Sequence, residues 1–190
     1  MYRDVGVSMV RSTLTGLPSW SFPPGFAVRT YRNGDAAIWT ALHEDAEPYI
    51  NITDSLFGQE FGDRRHALHD RMFFAENDAG KPVASITAWW QPDWCGQGEW
   101  GQIHWVVVKR AFQRLGLGKA MVAHALRRLA QDHTRAMLET ATMRIWAIKV
   151  YLDAGFLPAP EDCSDPMVLD GWRAVQARLA HPGLAAWLEG

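Results

Sequence analysis

Gln102-Ile-His-Trp-Val-Val-Val-Lys-Arg-Ala-Phe-Gln-Arg-Leu-Gly-Leu-Gly-Lys-Ala120, continued by a helical pattern to Leu129, is the stretch that decides the fold. Gln102–Val108 is rich in β-branched and aromatic residues, a strand composition. After it, Leu117, Met121, Val122, Ala125 and Leu129 share one side of a helical wheel, and Lys119, His124, Arg127 and Gln131 the other. That is the period of an amphipathic helix packed on a sheet. Gln113–Gly118 joins the two. The first turn of a helix carries N–H groups with no intrahelical partner and the positive end of the helix dipole, so it suits a phosphate. Gly116 and Gly118 remove Cβ atoms that would block a close approach or forbid positive φ. The stretch predicts a cradle for a phosphorylated ligand.

Two well-known phosphate loops do not fit. In a Walker A loop Gly118-Lys119 would be followed by serine or threonine, and Ala120 stands there. A dinucleotide fingerprint needs a third glycine where Met121 is. A nucleotide-phosphate binder is therefore the weakest reading. The spacing that fits is Gln-x-x-Gly-x-Gly after a strand, at Gln113, Gly116 and Gly118. Downstream, Ile145-Trp-Ala-Ile-Lys-Val-Tyr-Leu-Asp-Ala-Gly-Phe156 holds Ala-x-x-x-Tyr-x-x-x-Gly-Phe at Ala147, Tyr151, Gly155 and Phe156. Together these motifs resemble the GNAT N-acetyltransferases. The resemblance covers about residues 80–158 closely and the N-terminal third only in its pattern of elements.

The resemblance implies an α/β fold: a mixed, mostly antiparallel twisted sheet flanked by helices, with central strands splayed around acetyl-CoA. It implies that Val106, Val107 and Val108 hold the pantetheine arm and thioester oxygen, and that Gln113, Arg114, Leu115, Gly116, Leu117, Gly118 and Lys119 cradle the pyrophosphate. Tyr151 becomes the proton donor to the departing thiolate, since a phenol with pKa about 10 stays protonated at rest. The attacking amine, protonated at neutral pH, needs a base. His104, by type and position, Glu99 in the preceding loop, or a water relay fills that role. Strict alternation along a strand puts Gln102, His104 and Val106 on one face.

Nineteen basic against 21 acidic residues give a net charge of −2, with no basic stripe to suit nucleic acid. One domain is expected at 190 residues. Met-Tyr-Arg-Asp leads into no apolar core and no apolar run reaches transmembrane length, so neither leader nor membrane is expected, and the location reads as cytoplasmic. Cys95 and Cys163, both in loop-like sequence, agree with a reducing compartment. Ten tryptophans predict a heavily aromatic core.

In chain order, residues 1–24 read as an N-terminal extension and 25–190 as the catalytic domain. Phe26–Tyr31 reads as a strand, Asp35 as the cap of a helix to about Ala46, and Asn51–Arg71 as helix in two pieces. Tyr49, Asp54, Phe57, Glu60 and Phe61 would wall the acceptor site. Met72–Glu76 and Pro82–Trp90 form a hairpin, giving four antiparallel strands with Trp100–Val108. Ala136–Thr140 is the next strand. Thr140 or Thr142 caps the following helix, and Gly155 ends it. Phe156-Leu157 begins an edge strand, Met167–Leu169 a last strand, and Gly171–Leu179 is helical. His66 and His69 stand one helical turn apart without a third ligand, so no metal is expected.

The function expected is acetyl transfer from acetyl-CoA to a primary amine, with a small molecule favoured and a protein N-terminus or lysine also open. The alternative is a non-catalytic acyl-CoA-binding regulatory or accessory domain. A homodimer is compatible with both.

Overall fold

The computed structural model describes residues 4–160 and 165–189. Cys163 lies outside the described residues; Cys95 is exposed. The elements run β1 (Gly6–Arg11), β2 (Phe26–Thr30), α1 (Ala36–Ala46), α2 (Leu56–Phe61), a 3-10 segment Gly62–Ala67, α3 (Leu68–Arg71), β3 (Met72–Asn77), β4 (Pro82–Gln91), β5 (Trp100–Val108), a 3-10 turn Arg110–Phe112, α4 (Leu117–Leu129), β6 (Ala136–Ala141), α5 (Ile145–Asp153), β7 (Leu157–Pro158), α6 (Pro166–Leu179) and α7 (Pro182–Glu189).

The seven strands form one sheet in the order β2-β3-β4-β5-β6-β1-β7. The expected antiparallel run β2 to β5 is present, and β5 and β6 pair in parallel. Alternation along the strands feeds two cores. Phe73, Ala75, Ile86 and Ile103 pack with α4, α5 and α6 on one side. Met72, Phe74, Trp89 and Val107 pack with α1, α2 and α3 on the other. The aromatic core expected from composition is there: Trp39 and Trp172 are fully buried. Among the described residues, no helix is long and apolar enough to cross a membrane.

Several expectations need correction. Residues 6–11 are not part of an extension. Gly6-Val-Ser-Met-Val-Arg11 enters the sheet between β6 and β7, with Met9 opposite Leu138 on one side and Pro158 on the other. Its period-two burial, Val7 and Met9 inward, is that of a strand. Leu14 is buried, and Trp20 and Phe22 pack on the same core. Met167–Leu169 is helix, because the Asp165 carboxylate accepts from Met167 N at 2.8 Å and Pro166 supplies a preset φ. Asp35 makes no side-chain cap; it accepts from Arg32 N at 2.7 Å and pairs with Arg29 at 2.5 Å. Thr142 Oγ1 accepts from Val5 N at 3.0 Å, and Arg144, not a threonine, precedes α5. Gly155 does close α5, with φ 83° and its N–H bonded to Leu152 O while Phe156 N bonds Tyr151 O. That is a Schellman ending, which needs a left-handed residue.

Candidate active site

The site begins where two parallel strands part. β5 and β6 are in register only at Gly101 with Ala136 and Gln102 with Met137. Beyond Gln102 they have no paired residues, so the β6-facing backbone of Val106, Val107 and Val108 has no ladder partner. On its other edge β5 stays paired to β4, but the register shifts: Thr87 faces His104 while Ser85 faces Val107. One extra residue is accommodated, and Trp105 takes φ 47° to do so. This is a β-bulge, which bends a strand and re-aims its side chains.

The bulge overturns strict alternation. His104 packs edge-on to Phe61 at 5.9 Å, and Trp105 edge-on to Trp39 at 5.1 Å, both on the α1–α2 side. Val106 and Val108 pack against the α4 side. His104 and Val106 therefore lie on opposite faces, with the bulge between them.

The turn expected to cradle a phosphate lies just beyond β5. Gln113 Nε2 donates to Val108 O at 3.0 Å, tying the turn to the strand end, so its role is to shape the loop. Arg114 and Gly116 are left-handed, φ 66° and 90°, and Gly116 precedes α4. No side chain caps α4 and its first turn has no acidic residue. The N–H groups of Leu117, Gly118 and Lys119 thus lack intrahelical acceptors. A Cβ at Gly116 or Gly118 would meet nothing within 4 Å, so the approach is open. Leu115 is exposed and Leu117 buried. The Lys119 ammonium is bound elsewhere: Nζ lies 2.9 Å from Asp153 and 5.0 Å over the Trp20 ring. Its ammonium is thus engaged away from the first turn of α4, where only its backbone N–H is presented.

On the α1–α2 side, Glu60 near the end of α2 meets the bulge. Its Oε2 lies 3.2 Å from His104 Nε2 and accepts from Trp105 Nε1 at 2.8 Å. The bond from His104, ahead of the opposing effect of burial, holds the Glu60 carboxyl below its usual range. Glu99, the second candidate base, is at the other end of the strand. It pairs with His133 Nδ1 at 3.2 Å. It stands five positions before His104, about 16 Å along the strand. The structure does not bring it to the splay.

Tyr151 sits on α5, 8% exposed, edge-on to Phe156 at 6.3 Å. Burial pushes its phenol up to about 12 against a smaller downward pull from Arg144. Its hydroxyl has no hydrogen-bond partner among the described residues. Arg144 also acts on His43, which burial pushes down to about 3. His43 packs on Trp105 at 5.1 Å, and its buried Nε2 has no partner among the described residues. Arg144 forms a two-bond pair with Glu47, Nη1–Oε2 at 2.5 Å and Nη2–Oε1 at 2.9 Å, and lies 5.0 Å over the Tyr49 ring. Arg144 thus acts on both Tyr151 and His43, and His43 in turn meets Trp105 and feels His104.

Of the expected acceptor wall, Phe57 and Phe61 are core residues and Tyr49 is exposed. Asp54 faces an open pocket of about 430 Å³ between α1 and α2, with Thr40, Glu44 and Arg65. Sequence reading named Glu60 as wall but not as the partner of His104, and missed His43, Trp105 and Arg144. Only Trp105 had a local signal, lying inside the deciding strand. His69 packs edge-on to Tyr31 at 5.4 Å. No group of three or more metal-ligating side chains occurs among the described residues.

The sequence profile described as the acetyltransferase (GNAT) family matches residues 36–156. Among solved structures, a GCN5-related N-acetyltransferase from Sphaerobacter thermophilus superposes with a TM-score of 0.67 at 21% identity, covering 83% of this chain and 49% of that one. An acetyltransferase of the GNAT family from Colwellia psychrerythraea gives 0.62 at 14%, covering 83% and 54%. A GCN5-related N-acetyltransferase from Kribbella flavida gives 0.54 at 19%, covering 80% and 53%. This chain thus spans about half the length of these three solved structures. Curated proteins yield no match. Likeness at these identities speaks for the fold, and the profile, spanning both motifs and the splayed strands, establishes that the chain belongs to the GNAT acetyltransferase family.

Proposed function

We propose that the protein transfers the acetyl group of acetyl-CoA to the primary amine of a small-molecule acceptor. The observation that carries this reading is the splay of β5 from β6 beside the uncapped first turn of α4. Acetyl-CoA supplies the activated acetyl thioester. The N–H groups of Leu117, Gly118 and Lys119 hold its pyrophosphate, with Gln113, Arg114, Leu115 and Gly116 shaping the turn. Backbone groups at Val106, Val107 and Val108 take the pantetheine arm, and an N–H there stabilises charge developing on the thioester oxygen. His104 removes a proton from the acceptor's ammonium. A C–N bond forms as the C–S bond breaks, Tyr151 O–H protonates the departing thiolate, and the second proton lost by the acylated nitrogen goes to water, from which the Tyr151 phenolate is reprotonated. The high pKa of Tyr151 keeps it protonated until then.

The test is thiol release over a panel of 2-phenylethylamine, spermidine, kanamycin and a peptide with a free N-terminus. The panel runs with wild type and His104→Gln. Loss of a general base costs about 10²–10⁴ in kcat/KM. Stabilisation by acetyl-CoA should persist in the variant. A drop under about tenfold, with the rising pH limb intact, removes His104 from the role. Binding of acetyl-CoA without turnover of any amine would favour an accessory acyl-CoA-binding domain.

A further inference from the structure

We propose that Glu60 is a positioning residue that fixes His104 with its proton on Nε2, making Nδ1 the nitrogen that accepts the proton of the incoming amine. This rests on the reading of His104 as base and adds to it the atom that acts and the residue that selects it.

The geometry comes from one carboxylate oxygen. Glu60 Oε2 is 2.8 Å from Trp105 Nε1 and 3.2 Å from His104 Nε2. The indole nitrogen can only donate, so it orients the carboxylate without ambiguity. An ionised carboxylate can only accept, and hydrogen bonds from these neighbours lower the Glu60 pKa, which favours that form. A bond to His104 Nε2 therefore requires the hydrogen to be on Nε2. A neutral imidazole has one donor and one acceptor nitrogen, so the lone pair is on Nδ1. Nδ1 has no hydrogen-bond partner among the described residues. The ring is also held sideways by Phe61, centroids 5.9 Å apart and planes at 80°.

The bulge makes this arrangement. In a regular strand, residues 104 and 105 would point to opposite faces. With φ 47° at Trp105 they share the α1–α2 face, and a single oxygen from α2 reaches both. The left-handed tryptophan thus has a use beyond opening the strand pair. In the proton step, the N–H bond of the ammonium breaks and a bond to Nδ1 forms. The electron pair stays on the amine, ready for attack. The positive charge moves to the imidazolium, whose Nε2–H already faces the carboxylate. A carboxylate in that place stabilises the charged ring and needs no reorganisation.

Long-range proton–nitrogen NMR of the imidazole rings reads the tautomer directly, with His104→Gln identifying the signal. The neutral wild-type ring is expected as the Nε2–H form. Glu60→Gln keeps an acceptor oxygen of the same reach and should keep that form. Glu60→Met keeps the length, removes the acceptor and should admit the Nδ1–H form. An Nδ1–H ring in wild type overturns the proposal, and so does an unchanged ring in Glu60→Met. The wild-type spectrum decides by itself if the methionine variant does not fold. Thiol release with 2-phenylethylamine, spermidine and kanamycin gives the second readout. Glu60→Met should lower kcat about tenfold or more, with thermal stabilisation by acetyl-CoA unchanged, and Glu60→Gln should lose much less. A changed tautomer with unchanged kcat overturns the catalytic use of Nδ1. Failure of every amine with wild type would overturn acetyl transfer itself, while the spectrum still decides whether Glu60 sets the tautomer.

Discussion

Tyr151 is a buried phenol whose hydroxyl touches no described partner, which separates its chemistry from its packing. Tyr151→Phe keeps the ring against Phe156 and removes only the proton. It should leave the melting temperature nearly unchanged and acetyl-CoA affinity intact. Its kcat should fall, about tenfold to a hundredfold, since only a transition-state interaction is lost. An unchanged kcat where chemistry limits turnover would leave Tyr151 as packing. His43 makes a different prediction. Folding lowers its pKa from 6.5 to about 3, chiefly by burial. Below pH 6.5 the unfolded chain takes up a proton that the folded chain refuses. The contribution of His43 is therefore full above pH 6.5 and declines as pH falls towards 3. The limiting slope is about 1.4 kcal/mol per pH unit. His43→Phe should flatten the fall between pH 7 and 5 in urea unfolding; parallel curves for the two proteins would contradict this.

At the scale of the element, α4 does two jobs with separate residues. Leu117, Met121, Val122, Ala125, Leu126 and Leu129 are buried and anchor it to the sheet, each large side chain contributing about 1.5–3 kcal/mol. Its first turn is open and uncapped. Gly118→Asp separates the two jobs. The new Cβ meets nothing within 4 Å. An acidic residue in the first turn favours a helix by about 0.3–1 kcal/mol, and loss of a helical glycine adds to that. The unliganded variant should melt at or above the wild-type temperature. Acetyl-CoA should no longer stabilise it, because the carboxylate occupies and repels the phosphate position. Equal stabilisation of both proteins in a thermal-shift titration would move the pyrophosphate site elsewhere.

At the scale of the molecule, the sheet is closed by a strand from near the start of the chain. β1 pairs directly with β6 on one edge and with β7 on the other. Met9 is completely buried. Deleting residues 1–12 would remove the β1 ladder, uncover β6 and leave β7 unpaired. The shortened chain should lose cooperative thermal unfolding and bind no acetyl-CoA, since β6 forms one arm of the splay. A truncated protein that melts as sharply as the full chain, with acetyl-CoA still stabilising it, would mean that β1 contributes little. The same register places the two cores on opposite faces, with Trp39, Trp89 and Trp105 meeting above the α1–α2 side of β5.

What the sequence determined by itself was whatever depends on neighbours a few residues apart. The strand composition of Gln102–Val108, the period of Leu117–Leu129 and the Gly116 turn are local patterns, and so is the Gly155 ending of α5. They sufficed for the fold class and for the strand–turn–helix at the start of α4. The hairpin from β3 to β4 was legible for the same reason, since Asn77 Oδ1 accepts from Ala79 N and Lys81 N within its own turn. The other end of the site was decided by tertiary structure. Glu60 and His104 are 44 residues apart, and nothing periodic links them. A positive φ at a tryptophan is intrinsically unfavourable, and the surrounding contacts with Trp39, His43 and Glu60 hold it. That bulge put His104 and Val106 on opposite faces, where alternation had placed them together. Glu99 lay close in sequence yet about 16 Å along the strand. Local hydrogen bonding is set by the chain's own neighbours, whereas the meeting of distant side chains is set by how two cores pack against one sheet.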